Sequence, residues 1–514
     1  MTTLAEPQVA PDRWSRWSDR LNPILVREVQ QAVKGRLFTL SVLFALLVVV
    51  VIAIAVAGAE NRSTEAGRNV FDAGLATLVP LVLFVVPMQA YQSMRLELRS
   101  GIVEQLLLSR LRPRAILAGK LTAALVQFVL YVSILAPLLA TGYLLRGVDL
   151  PTIVVSLGFG LVFCVASTAA AISAAAQGTV PALAPVAQIA AAFGFGLLTF
   201  GMMTYIGSGE YVRDLGWMMR RAEFAAVASA MVLCAAAGAV LSSLTAQSFL
   251  LHAFENRSTG FRVFLFTLPL LAVGWMLACI EPMAWTAVLC GIVFAATLVG
   301  TLFGAFFWTE QKALSPRVRA HVPQQPLLAL LAAPFLPGRD RGALCLLLYF
   351  ALLAVPAALC WPVPGAHTFA PGIMVADERL GLLRMAAMTA AYAVIYLSIA
   401  KGLRSTMPAA VTGNHLARFV LPVVLLLFVL APVLIDVLTR GGVRSWHIGH
   451  VMNPFWTIER FAWRPERGPV VGGLVGVAGL CVLLQVRSML HGLREVQAAS
   501  AQRRAALRRP DGDG

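Results

Sequence analysis

Residues 37–59 read LFTLSVLFALLVVVVIAIAVAGA, 23 residues without one charged side chain. A helix rises about 1.5 Å per residue and the hydrocarbon core of a bilayer is about 30 Å thick, so this run is long enough to cross it. Ala55-Val56-Ala57 has the small-residue look of a signal-peptidase site. A secretory signal, however, carries an apolar stretch of only about 7–15 residues, so the length here points to an uncleaved anchor behind a basic leader.

Eleven further runs of this kind follow, at about 73–93, 120–144, 152–176, 183–206, 223–249, 263–280, 283–308, 343–361, 381–400, 418–438 and 469–489. The seventh and eighth are parted only by Glu281-Pro282, which reads as a tight hairpin or as a break in one long helix. The expected fold is therefore all-α, a polytopic membrane protein of about 12 transmembrane helices in two six-helix halves. Its predicted parts are a cytoplasmic leader (1–36), a first half (37–250), a second half (251–489) with a cytoplasmic loop at 309–342, and a basic cytoplasmic tail (490–514).

Composition agrees. Of 514 residues, 59% are apolar and 13% charged, about half the charged share of a soluble protein, which excludes a soluble enzyme. The net charge of +16 comes from cations placed mostly between apolar runs, so a bilayer accounts for it and no nucleic-acid partner is expected. With twelve spans and a cytoplasmic N-terminus, 28 of the 41 Lys and Arg fall inside, which places both termini in the cytoplasm of a cell membrane. The exception is 439–468, where five arginines would face outward together with Trp446, Trp456 and Trp463, read as an aromatic belt at the outer interface. Seven cysteines lie in or beside apolar runs without ligand spacing and read as small buried hydrophobes. Gly300/Gly304, Gly472/Gly476 and the alanine-rich run 168–176 place small side chains one turn apart, as close helix packing requires.

The spans lack what an ion-driven transporter keeps at mid-bilayer. Asp436, Arg384 and Glu223 stand near span ends, and no span holds a central Glu, Lys or His. Nor is there a phosphate-binding loop: Gly119-Lys120 is followed by Leu121 and preceded by Arg114 where the first glycine belongs. An ion-coupled secondary transporter is thus a rival reading. A membrane-embedded lipid- or glycan-processing enzyme is another, resting on Glu60, Asp72 and Glu281 in outside loops. The leading expectation is that the chain is no enzyme, holds no cofactor or metal, and draws energy from another polypeptide.

Two cytoplasmic segments carry more. In 21–36, LNPILVREVQQAVKGR, Asn22 can cap a helix and Pro23 suits its first position, while Leu21, Leu25, Val29, Ala32 and Val33 recur at helical spacing. With Arg27, Gln30, Gln31 and Lys34 opposite, this helix should lie flat on the membrane surface. In 94–120, MRLELRSGIVEQLLLSRLRPRAILAGK, the apolar face Leu98, Ile102, Val103, Leu106 and Leu107 opposes Glu97, Arg99, Ser100, Glu104 and Arg110. Gly101 allows a bend and Pro113 a stop. Such a helix could dock into a partner's groove.

The second segment resembles type 2 ABC exporter permeases, whose second and third spans are joined by a pattern close to E-R-x-x-G-T-x-E-x-L-L-L-T-P-L followed by Gly-Lys. Glu97, Gly101, Glu104, Leu106, Leu107, Leu108, Leu111, Gly119 and Lys120 fall on it in register, while Leu98, Ile102, Ser109 and Arg110 depart from it. Asn22-Pro23 and Arg27-Glu28 resemble the amphipathic helix that opens bacterial permeases of this group. The resemblance covers about residues 21–250. It implies that 97–111 is a coupling helix seated on a separate ATPase subunit, that ATP and magnesium sit on that partner, and that the ATPase contact involves Glu97, Gly101, Ile102, Glu104, Leu106, Leu107, Ser109 and Arg110. Residues 263–514 read as a degenerate second half, with 309–342 as the counterpart of the coupling segment, although its five prolines forbid a long helix. Whether two chains pair or one chain suffices stays open, as does the substrate.

Overall fold

The computed structural model describes residues 23–58, 64–108, 112–177, 184–251, 255–281, 284–308, 310, 313–359, 378–406, 416–440, 448–462 and 468–508. Among these, every regular element is a helix and none is a strand. The chain is an all-α multi-pass membrane protein. It divides into two compact units, residues 1–250 and 251–514.

The first unit comprises α1 (Pro23–Lys34), α2 (Arg36–Gly58), α3 (Thr64–Pro80), α4 (Val86–Arg99), α5 (Ile102–Leu108), α6 (Pro113–Leu144), α7 (Leu150–Gln177), α8 (Ala184–Gly207), α9 (Glu210–Met219) and α10 (Phe224–Leu250). The second holds α11 (Thr259–Cys279), α12 (Trp285–Trp308), α13 (Pro316–Arg319), α14 (Pro326–Ala332), α15 (Arg339–Leu359), α16 (Glu378–Thr406), α17 (Leu416–Arg440), α18 (Pro454–Phe461) and α19 (Gly468–Arg508). Among the described residues, ten helices are long and apolar enough to cross a membrane. The other two predicted runs, 343–361 and 418–438, are helical as α15 and α17, with 360–361 outside the described residues.

Several boundaries differ from expectation. The second span begins well before residue 73: α3, a π-helical turn at Leu81–Val85 and α4 form one continuous crossing, and Asp72 is buried inside it beside Arg68 at 3.9 Å. Asp72 is therefore no loop carboxylate, Glu281 is exposed, and Glu60 lies outside the described residues. Between the seventh and eighth spans, Ile280 takes extended backbone and accepts a hydrogen bond from the Trp285 indole at 2.9 Å, so α11 and α12 are two helices of a hairpin. The predicted tail is mostly the continuation of the last span. Helix α19 runs 41 residues, and its far third packs Val496 and Ala499 against Leu314, Val318, Val322 and Ala329.

Small residues decide the close crossings. Ala171, Ala175 and Ala176 of α7 are fully buried against Met88, Met94 and Ala246. A Cβ on Gly300 of α12 would stand 2.4 Å from the Tyr349 ring of α15, and one on Gly304 3.0 Å from Leu346. Among the described residues, a Cβ on Gly472 or Gly476 would meet nothing within 4 Å, so the second GxxxG pair makes no such contact there. Cys234 and Cys279 are exposed on their helices, unlike the buried Cys164 and Cys345. Gly300→Leu should accordingly destabilise the protein by about 1–3 kcal/mol through overpacking, and Gly476→Leu by less than about 0.5. Thermal unfolding of the two variants in one detergent checks this; equal losses would contradict the assigned crossing.

Candidate functional site: a buried charge cluster beside a short surface helix

In the first unit, the predicted motif residues converge at the end of the bundle that carries α1. Lys120, about two turns into α6, places its ammonium 2.8 Å from Glu28 of α1, 3.0 Å from Glu97 at the end of α4, and donates to the Ser93 hydroxyl at 2.7 Å. Ser93 in turn donates to the other Glu28 oxygen at 3.0 Å, and Arg27 reaches Glu97 at 2.6 Å. Lys120 is 1% exposed, and Glu28 and Glu97 are almost as deeply buried. Two cations thus balance two carboxylates, with Arg27 reaching in from a part-exposed position to a site where a lone buried charge would be strongly unfavourable.

Glycine makes the approach possible. A Cβ on Gly119 would lie 2.6 Å from Ile24 Cγ2, so only glycine lets α1 lie against α6 here. The spacing Gly119-Lys120 therefore serves one joint: the first residue admits the surface helix and the second fastens it.

In helix α1 the buried positions are Ile24 and Glu28, Leu25, Val29 and Ala32 are half-buried and Val33 is exposed, so the face fastened to Lys120 is distinct from the stripe expected to lie on the membrane. The structure corrects one sequence expectation: 97–111 is not a single amphipathic helix with Glu97 on its polar face. Helix α4 carries Glu97 into the interior and ends at Arg99, and Gly101 turns the chain with φ of +72°. Helix α5 then starts at Ile102. Its Val103 is buried, with Leu107 packed beside it on the cluster of Met94 and Leu117. Ile102 and Leu106 are half-buried, whereas Glu104, Gln105 and Leu108 face outward, Leu108 with 80% exposure. Pro23 opens α1; Asn22, Ser109, Arg110 and Leu111 lie outside the described residues.

Sequence reasoning missed two further charge sites, both in the second unit. Arg262, wholly buried at the start of α11, pairs with Glu310 at 2.8 Å and donates to the carbonyls of Pro334, Leu336 and Gly338 at 2.8, 2.6 and 3.1 Å. Glu495 of α19 binds Arg341 at 2.8 Å, Arg319 at 3.3 Å and the Leu314 amide at 2.8 Å. Together they hold 313–338, with its short helices α13 and α14, as a folded lobe. The prolines do limit helix length: Pro316 and Pro326 each stand at a helix start. The second missed site is Asp436 of α17, buried 3.0 Å from His450.

His450 belongs to 448–462, the described part of the outward loop and aromatic belt expected over 439–468. Residues 448–452 and α18 run among the helices. Asn453 donates to the Val429 carbonyl at 3.1 Å, about 16 Å along α17 from its end, and the Trp456 ring lies against His450 with centroids 4.2 Å apart. Trp446 and Trp463 lie outside the described residues. Among the described residues, no group of three or more His, Cys, Asp or Glu side chains could hold a metal ion. No protein-family model matches the chain, nor does any curated protein or solved structure.

Proposed function

We propose that this chain is the membrane-spanning permease subunit of an ABC transporter, an exporter of the type 2 class, driven by a separate ATPase that carries the ATP and magnesium. The observation that carries the reading is the joint of Glu28, Glu97 and Lys120 directly beside α5. The short helix offers Glu104, Gln105 and Leu108 outward, while its other face is packed onto the ends of α4 and α6. A force applied to α5 from the cytoplasm would reach two spans and α1 together, because the ion pairs bind them into one body. In this reading Glu97 is a positioning residue, Gly101 is the bend, and Glu104, Leu106 and Leu107 with Ile102 shape the docking helix. Ser109 and Arg110 extend the contact, the N- and C-termini are cytoplasmic, and a homodimer is one of two assemblies to be distinguished.

Leu108→Arg tests the proposal. It should leave the yield and thermal stability of the purified chain unchanged, because the side chain is exposed, and lower recovery of the co-expressed neighbouring ATPase at least 10-fold. Transport-dependent ATP hydrolysis should fall with it. Undiminished co-purification, or no ATPase held by the parent chain, would remove the reading.

The Asp436–His450 pair supports a second reading, a proton-coupled transporter, since buried titratable pairs within a bundle are the usual means of ion coupling. It predicts uptake that follows a pH gradient, survives ATP depletion and is abolished by Asp436→Asn. The enzyme reading has less support: of its three carboxylates, Asp72 is paired inside α3 and Glu281 is exposed at a hairpin.

A further inference from the structure

Between α12, α16, α17 and α18 the second unit forms a cleft of about 310 Å³, open on one side. We propose that it is a binding site for the acyl chain of a membrane lipid. The inference stands apart from the ABC reading and fails or holds without it.

The wall explains the ligand class. Residues 448–452 form one short 3-10 helix among the longer helices, and its last carbonyls need donors from outside their own turn, since an unpaired buried carbonyl is unfavourable. Tyr392 donates to the Val451 carbonyl at 2.6 Å and Tyr396 to that of Met452. Thr297 and Thr301 of α12 turn their hydroxyls onto their own helix, to Val293 and Thr297 at 2.7 Å each. Every one of these hydroxyls is therefore committed, and the cavity meets tyrosine rings, threonine methyls, Ala393 and Phe455. Among the described residues, no charged side chain lines it.

Such a space is unfavourable for water, which needs two to four polar partners. Its volume is about twice that of the ~150 Å³ apolar cavity known to stay dry and accept benzene, so it suits a flexible hydrocarbon segment. Two lining residues, Leu298 of α12 and Phe455 of α18, are exposed, at 38% and 45%. Both are apolar, so the opening continues the lipid-facing surface and an acyl chain can enter sideways without passing a polar rim.

The full-length protein in nanodiscs of phosphatidylcholine bearing a mid-chain diazirine tests this. After irradiation, peptide mapping should find label on 389–396 and 454–458. Ala393→Phe, which fills the cavity, and Leu298→Trp, which narrows its mouth, should each cut that label at least fivefold while leaving label on the exposed Leu480–Leu484 stretch of α19 unchanged. The rim variant covers the case in which the filled one does not fold. Absence of label at the two segments, or label that survives both substitutions, would overturn the proposal.

Discussion

Lys120→Met is expected to lower the apparent melting temperature of the purified protein by roughly 10 °C, the largest effect of any single change in the first unit. The substitution keeps the volume and removes the ammonium, so among the described residues only Arg27 is left to balance the buried carboxylates of Glu28 and Glu97. Breaking a buried pair in this way costs about 3–5 kcal/mol, and each kcal/mol moves the midpoint by about 2–4 °C in a unit of this size. Glu28→Gln combined with Lys120→Met should recover part of the loss, because one unpaired charge disappears with its partner. A double variant no more stable than the single one would show that the cluster does not act as a charge-balanced unit. Near-parent stability of Lys120→Met itself would place the ammonium in water.

Arg262→Met should release the 313–338 lobe. Three backbone carbonyls and Glu310 lose their shared donor at once, a loss of about 3–5 kcal/mol given the burial of the guanidinium. The readout is local. Arg317 and Arg319 lie on α13 at the surface of the lobe, so tryptic cleavage there should speed up at least 10-fold, while the spans stay resistant. Arg262→Lys should fall between parent and Met, since one ammonium cannot reach acceptors arranged for a planar fork. Cleavage at the parent rate would mean that α19, through Glu495 and Arg503, holds the lobe without Arg262.

These two joints also mark where the reading of the sequence stopped. The motif Glu97, Gly101, Glu104 and Gly119-Lys120 is visible as a string, but a string does not say that Glu97 points inward. A pattern of polar and apolar residues places Glu97 on the wet face of one helix. The structure places it at the end of another, because Gly101 breaks the chain between them. The small and apolar positions Gly492, Val496 and Ala499 fall on one helical face and could have revealed the packing of the last helix beyond the membrane; a basic tail obscured them. His450 carried no comparable signal, being a single histidine in a loop-like stretch.

The sequence by itself determined the helices. Over their described residues all twelve predicted runs form helices, since backbone amides within a bilayer must be satisfied inside their own segment, and length with apolarity is then nearly sufficient to define a span. Only the tertiary structure decided which charges meet. Glu28 and Lys120 are separated by 92 residues, and Arg341 and Glu495 by 154. Their pairing depends on how helices rotate and cross, which is set by close contacts such as Gly119 on Ile24 rather than by any local preference of the chain.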